Sequence, residues 1–265
     1  MALRTAGCLL LATLAAFAAS GCRNTEQGYD ASKKNVVLLR YKQGSESTEQ
    51  RERGFLETLA KEYPDVNVML SSEYAGTTQE SALDKAQQVF NKYGGKVDGI
   101  FAVCEPNGVG ILRAMENAQL AGKVKFVTFD PSPRLVDAMR EDKVHGIVLQ
   151  DPYRMGYDAV RSLSQHLAGD KVEKYIDTGE YVATPENLDG KDENGADIKQ
   201  LLDPIQFTDD LKARPDNKQY TFAVIPKGTT HEFWKSVHAG AEKAATEIGG
   251  IGIVCQVDNE CRKSC

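Results

Sequence analysis

From position 35 onward, short runs of β-branched and apolar residues alternate with longer segments whose apolar positions recur every three to four residues. That alternation is the mark of βαβ units feeding a parallel sheet. The runs at 35–40, 66–71, 98–103, 124–129 and 145–150 predict five strands, several of them apolar throughout, as strands covered on both faces are. Helices are predicted between them at 47–63, 78–93, 108–121 and 134–141. Ser47 with Gln50, and Thr77 with Glu80, have the spacing of capping boxes at the first two. Phe55, Leu56, Leu59 and Tyr63 share one helical face, and Ala82, Ala86, Val89 and Tyr93 share another, so both faces are expected in the core.

The pattern continues less regularly. A further helix is predicted at 153–167, followed by a polar stretch, 170–199, expected to be irregular with one strand. Residues 205–219 have the Pro, Asp and Asn content of a linker. The chain then restarts with a strand at 220–225, a helix at 231–248 and a strand at 251–255. Trp234, Val237, Ala241, Ala245 and Ile248 are expected to face inward on that helix. Three such elements bury too little surface to form a domain alone. The fold class predicted is α/β with a doubly wound parallel sheet.

The N-terminus changes the picture of where the chain works. Residues 1–21 carry Arg4 ahead of a small-residue apolar run too short to span a bilayer, which reads as an export signal. The run ends in Ala19-Ser20-Gly21-Cys22, which resembles a bacterial lipobox without its usual leucine, so Cys22 is the expected lipidation site. Residues 22–34 read as a flexible tether. Disulfides are permitted outside the cytoplasm, and Cys255, Cys261 and Cys265 are expected to form a frayed or disulfide-tied tail. Their spacing lacks a CxxC pair or a nearby histidine, so no metal is expected there.

Composition excludes more than it selects. The 265 residues are those of an ordinary globular protein, with 41% hydrophobic and 26% charged positions, and the net charge of −6 argues against nucleic acid as a partner. Asn107-Gly108-Val109-Gly110 follows a strand, yet it has neither the third glycine of a dinucleotide fingerprint nor a phosphate-loop lysine. No nucleophile elbow is present, and the four histidines have no serine or cysteine partner at a telling spacing. No enzyme activity and no cofactor are expected.

Ligands of open α/β sheets bind outside the carboxyl ends of the strands, and four polar residues stand there. Arg51 lies in the opening turns of the helix after the first strand, Glu105 follows the third, Asp130 follows the fourth and Gln150 ends the fifth. A guanidinium, a carboxylate and an amide converging on one cleft suit a ligand with several hydroxyls.

These residues also carry a resemblance. The segment 35–204 is similar to the second lobe of periplasmic sugar-binding proteins of the ribose-binding type, through Ser47-Thr48-x-x-Arg51-x-x-Gly54-Phe55, the runs DGIFA at 98–102, VTFD at 127–130, VLQDPYRMG at 148–156 and TPEN at 184–187. The resemblance implies that Arg51, Asp130 and Gln150 bond sugar hydroxyls. Cys104, beside Glu105, stands where the family usually has an asparagine. Residues 220–249 resemble the opening strand, binding loop and helix of the family's other lobe, which would bring His231, Phe233 and Trp234 to the cleft, with Trp234 stacking on the sugar.

In this chain that opening follows the second lobe, so the first lobe, carried by 220–265, is expected to be incomplete or permuted. The implied function is a lipid-anchored solute-binding protein that captures a sugar or similar polyol and delivers it to the membrane permease of an ABC importer. The rival readings are a truncated or rearranged fragment without binding activity, a ligand-sensing domain, and an enzyme on the same sheet. An incomplete lobe is expected to leave the helix from Tyr153 and the strand from Tyr220 with few partners, and sugar affinity weak or absent.

The leader generates a direct prediction. Mass spectrometry of the N-terminal peptide should find a diacylated Cys22 at the start of the mature protein, and Cys22→Ala should abolish partition with membranes.

Overall fold

The computed structural model describes residues 28–191, 195–202, 220–227 and 231–255. Leader residues 1–21, the Cys22 site, most of the tether, the linker at 205–219, and Cys261 and Cys265 in the tail lie outside them.

Among the described residues, six strands form one sheet in the order β2-β1-β3-β4-β5-β6. These are β1 (Lys34–Leu39), β2 (Val66–Leu70), β3 (Gly99–Ala102), β4 (Lys125–Phe129), β5 (Gly146–Gln150) and β6 (Glu180–Ala183). The first five run parallel and β6 closes the edge antiparallel to β5. Because β1 pairs with both β2 and β3, the chain reverses its winding beside β1, and a crevice opens at the carboxyl ends of these strands.

Alternation along the strands divides the lobe into two layers. Val37 and Leu39 of β1, Ile100 and Ala102 of β3, and Ile147 and Leu149 of β5 face the main core, under α2 (Gln79–Tyr93), α3 (Glu105–Asn117) and α4 (Pro133–Arg140). Ile198 of α6 (Ile198–Leu202) completes that core. Leu38, Phe101 and Val103 point the other way, where Phe55 and Leu56 of α1 (Glu46–Glu62) cover them. Phe55 stacks on Phe101 with ring centroids 4.6 Å apart. Each large apolar side chain buried in these layers stabilises the lobe by roughly 1.5–3 kcal/mol.

The expected elements are present with ends moved by a few residues, and the differences have local causes. Helix α1 starts after Ser45, which makes no side-chain cap, so the Ser47/Gln50 box does not form. The box at α2 is Thr78 with Ser81 rather than Thr77 with Glu80. Helix α3 begins at Glu105, three residues before the predicted start, because Pro106 presets the dihedral of its first turn. Tyr63 and Ile248 are exposed rather than in the core, the first capping the C-terminus of α1 and the second the last residue of its helix at 232–248.

Helix α5 (Pro152–Leu167), though inside the 35–204 segment, packs away from the main core. It lies along α7 (Glu232–Ile248), and its Val160 joins Phe222, Ala241, Ala244, Ala245, Ile251 and Ile253 in a second, smaller core. Strands β7 (Tyr220–Val224) and β8 (Ile251–Cys255) pair in parallel beneath it. The helix from Tyr153 therefore has a full partner, contrary to expectation. Apolar surface is still left exposed on α5 itself, at Leu163 and Leu167, and on the smaller unit at Tyr220, Val254 and Ile225, the last 72% exposed.

The α5–α7 contact depends on two glycines used reciprocally. A methyl group on Gly156 would run into the Val237 carbonyl, and one on Gly240 into the Tyr153 carbonyl, so each helix seats the other's backbone where a side chain would stand. The Tyr157 hydroxyl donates to Glu247 across the same seam. Gly240→Ala, and more severely Gly156→Val, should cost about 1–3 kcal/mol by forcing the helices apart, read as a lower urea midpoint. Gly54→Ala, in the middle of α1 with open space around it, should instead leave the midpoint unmoved or raise it.

Candidate functional site

The crevice beside β1 is a cavity of about 750 Å³, bounded on one side by the carboxyl ends of the lobe's strands and on the other by α5, α7 and the end of β7. All eight residues singled out in the sequence line it: Arg51, Cys104, Glu105, Asp130, Gln150, His231, Phe233 and Trp234.

Asp130 is its electrostatic centre. Its backbone sits in the left-handed region with φ 61°, held by its own N–H donating to the Val148 carbonyl at 3.0 Å. Aspartate tolerates that conformation better than most residues, and the bend turns its carboxylate into the crevice rather than along the strand. Burial pushes its pKa above the usual aspartate range, opposed by the Arg51 guanidinium and the Gln150 amide. Arg51 Nη1 lies 3.3 Å from Oδ2, and Gln150 Nε2 donates to Oδ1 at 2.5 Å. Arg51 also donates to the Val103 carbonyl at 2.8 Å and lies over the Phe129 ring, 4.2 Å from its centroid. These contacts fix the guanidinium's plane, and its remaining N–H groups are the site's strongest donors.

Glu105, the first residue of α3, accepts from Gln79 Nε2 at 3.4 Å and meets His231 Nδ1 at 3.2 Å. That hydrogen bond raises the His231 pKa above the ordinary imidazole value, while partial burial opposes it. Cys104 is buried, its thiol pushed up to about 12 chiefly by burial, and Sγ contacts Asn107 Oδ1 at 3.4 Å. It is a packed neutral thiol, not a nucleophile. On α7, Phe233 and Trp234 meet edge to face with centroids 4.9 Å apart. With Met155, Val160, Val237 and Ala241 they give the cavity an apolar wall opposite its polar one.

Sequence reasoning missed several neighbours. Tyr41 follows β1 and Lys227 follows β7, both just past the carboxyl end of a strand, which was the available signal. Lys227 Nζ donates to Ser45 Oγ at 2.6 Å and lies 5.4 Å from the centroid of the Tyr41 ring. Its pKa is lowered by burial and by the like charges of Lys42 and Arg51. Glu52 was missed because its helix looked solvated. It is buried, accepts from the Tyr41 N–H at 3.3 Å and pairs with Arg40 at 3.7 Å, pinning the end of β1.

The glycines at 108 and 110 serve packing. A methyl group on Gly108 would strike Thr128, and one on Gly110 the Gln79 carbonyl, so they let α3 approach β4 and α2. Among the described residues, no group of three or more His, Cys, Asp or Glu could hold a metal ion, and no helix is long and apolar enough to cross a membrane.

Comparison with known proteins gives this geometry a context. The model of the periplasmic binding protein domain family matches residues 4–171. A xylitol-binding protein from Mycolicibacterium smegmatis is 29% identical over 119 residues, covering 45% of this chain and 33% of that protein. Among solved structures, a carbohydrate transporter solute binding protein from Agrobacterium radiobacter in complex with D-arabinose is 30% identical, with TM-score 0.59, over 64% of this chain and 56% of that one. An ABC transporter solute binding protein from Agrobacterium vitis with bound D-fucose is 28% identical, with TM-score 0.58, over 65% and 57%. The chain thus spans a third of the curated relative and just over half of these two solved ones.

The buried pair generates a stability prediction with a defined pH dependence. Arg51→Met should destabilise the lobe at pH 7 by about 3 kcal/mol, because it leaves an ionised carboxylate buried without its cation. The pKa of Asp130, already raised, should rise further in the variant. The loss should therefore shrink as acidification protonates Asp130, read as converging urea midpoints of parent and variant toward low pH.

Proposed function

The chain belongs to the periplasmic binding protein family, and from that premise we propose that it is a solute-binding protein whose cavity takes a sugar or similar polyol. One observation carries the reading: three polar side chains that can serve several hydroxyls face a tryptophan and a phenylalanine across a single cavity. A sugar presents these two surfaces, hydroxyl edges and an apolar C–H face. In this reading Arg51 donates, Asp130 accepts and Gln150 does both. Trp234 stacks on the ring, and Glu105 and His231 close the far edge. The binding of D-arabinose, D-fucose and xylitol by relatives supports the ligand class.

The wider role follows the same premise. The protein captures its ligand outside the cytoplasmic membrane, is anchored to the bilayer through Cys22 and delivers the ligand to the permease of an ABC importer without chemical change. A second reading, a chain without affinity, is favoured by one observation: among the described residues the smaller unit's sheet is β7 and β8 alone, and Ile225 is exposed.

Calorimetric titration of the chain with pentoses, hexoses, xylitol and inositols separates the two. The sugar-binding reading predicts saturable heat with at least one of them, weakened by about 1–3 kcal/mol in each of Arg51→Ala, Asp130→Ala and Gln150→Ala. Heat from none of them would select the second reading, and a ligand bound equally well by all three variants would place the site elsewhere.

A further inference from the structure

Among the described residues, two side-chain hydrogen bonds join the smaller unit to the lobe across the mouth of the cavity. Lys227 reaches Ser45, and His231 at the start of α7 reaches Glu105 at the start of α3. The chain passes between the two bodies at Gln150 to Pro152, again between Leu167 and Glu180 and again between Leu202 and Tyr220, and parting the bodies about these crossings breaks both contacts. Of the two, only the second includes a side chain, the His231 imidazole, that ordinarily changes charge between pH 5 and 8.

The groups around His231 favour its charged form. Glu105 of α3 touches it, and Asp130 after β4 acts on it from further away. Gln79 of α2 holds the other oxygen of Glu105, and Arg51 of α1 is engaged with Asp130. In its own segment the charged neighbours are Glu232, paired with Lys235 at 2.8 Å, and Lys227, which is turned to Ser45. The Glu105 carboxylate against the imidazole, with the Asp130 charge adding from further away, makes its proton more favourable with the mouth shut than with it open, where the ring meets water.

We propose that His231 and Glu105 form a proton-dependent clasp that holds the cavity closed in mildly acidic surroundings and releases it as the medium turns alkaline. The sign follows from linkage. The closed form binds the His231 proton more tightly than the open form, so the clasp's contribution is complete below the ordinary imidazole pKa of about 6.5 and is lost as pH rises through the higher closed-state value. This deepens the solute-binding reading, since a ligand held by both bodies inherits the same dependence: its Kd should be about fivefold lower at pH 6 than at pH 8.5.

The clasp itself can be tested without ligand. NMR titration of the His231 ring should give a midpoint above that of free imidazole, falling in Glu105→Gln. Trp234 is the only tryptophan, and its access to acrylamide should rise through the same midpoint in the parent. Glu105→Gln and His231→Asn, checked for folding by circular dichroism, should show high access at every pH. A parent midpoint at or below free imidazole, a midpoint unmoved in Glu105→Gln, or quenching flat with pH in the parent would overturn the clasp. If the clasp behaves as expected while no sugar binds at any pH, the clasp stands and the solute-binding reading fails.

Discussion

A carboxylate largely withdrawn from water keeps its charge only with partners, and that constraint at Asp130 organises the mouth of the lobe. Its left-handed backbone turns the side chain inward at the end of β4, where burial penalises its charge. Arg51 arrives from α1 and Gln150 from the end of β5, one on each side, and Arg51 is itself tied to the Val103 carbonyl beyond β3. Three strand ends and one helix are therefore held in register by a single charge. The same groups keep hydrogen-bonding capacity directed at the cavity. A site of this kind is preorganised, and what it recognises is set by donors and acceptors that cannot easily swing away.

The second constraint is steric. Gly156 and Gly240 let α5 and α7 approach until backbone meets backbone, and this crossing brings Trp234, Phe233 and His231 opposite the lobe. The small sheet of β7 and β8 would be marginal alone, since two strands bury little, and α5 gives it a core it could not build by itself. The cavity exists because a helix that follows β5 in sequence leaves the lobe and packs on a segment some eighty residues further along the chain.

Much of the lobe was legible in the sequence because its strands are short apolar runs between helices with clear faces, and parallel pairing follows from that alternation. Residues at the ends of those strands were legible for the same reason: topology alone sends Arg51, Glu105, Asp130 and Gln150 to one crevice. The destination of α5 was not legible, since its amphipathic pattern is the same whichever apolar surface it covers, and the small-residue contacts that decide the matter lie far apart in sequence. Glu52 was hidden because a carboxylate on a charged helix reads as solvated until its partners, Arg40 and the Tyr41 N–H, are seen. Capping boxes failed by one or two positions because several Ser, Thr, Gln and Glu residues crowd each helix start, and spacing alone cannot choose among them.

The central claim is that one ligand is held by both bodies at once, hydroxyls toward the lobe and ring face toward α7. The most direct test is an NMR titration of the chain with the best sugar from the calorimetric panel, following the Gln150 side-chain amide and the Trp234 indole N–H. The account predicts that both signals move together and saturate with one Kd. Movement of neither signal, or of Trp234 alone with Gln150 fixed, would contradict it.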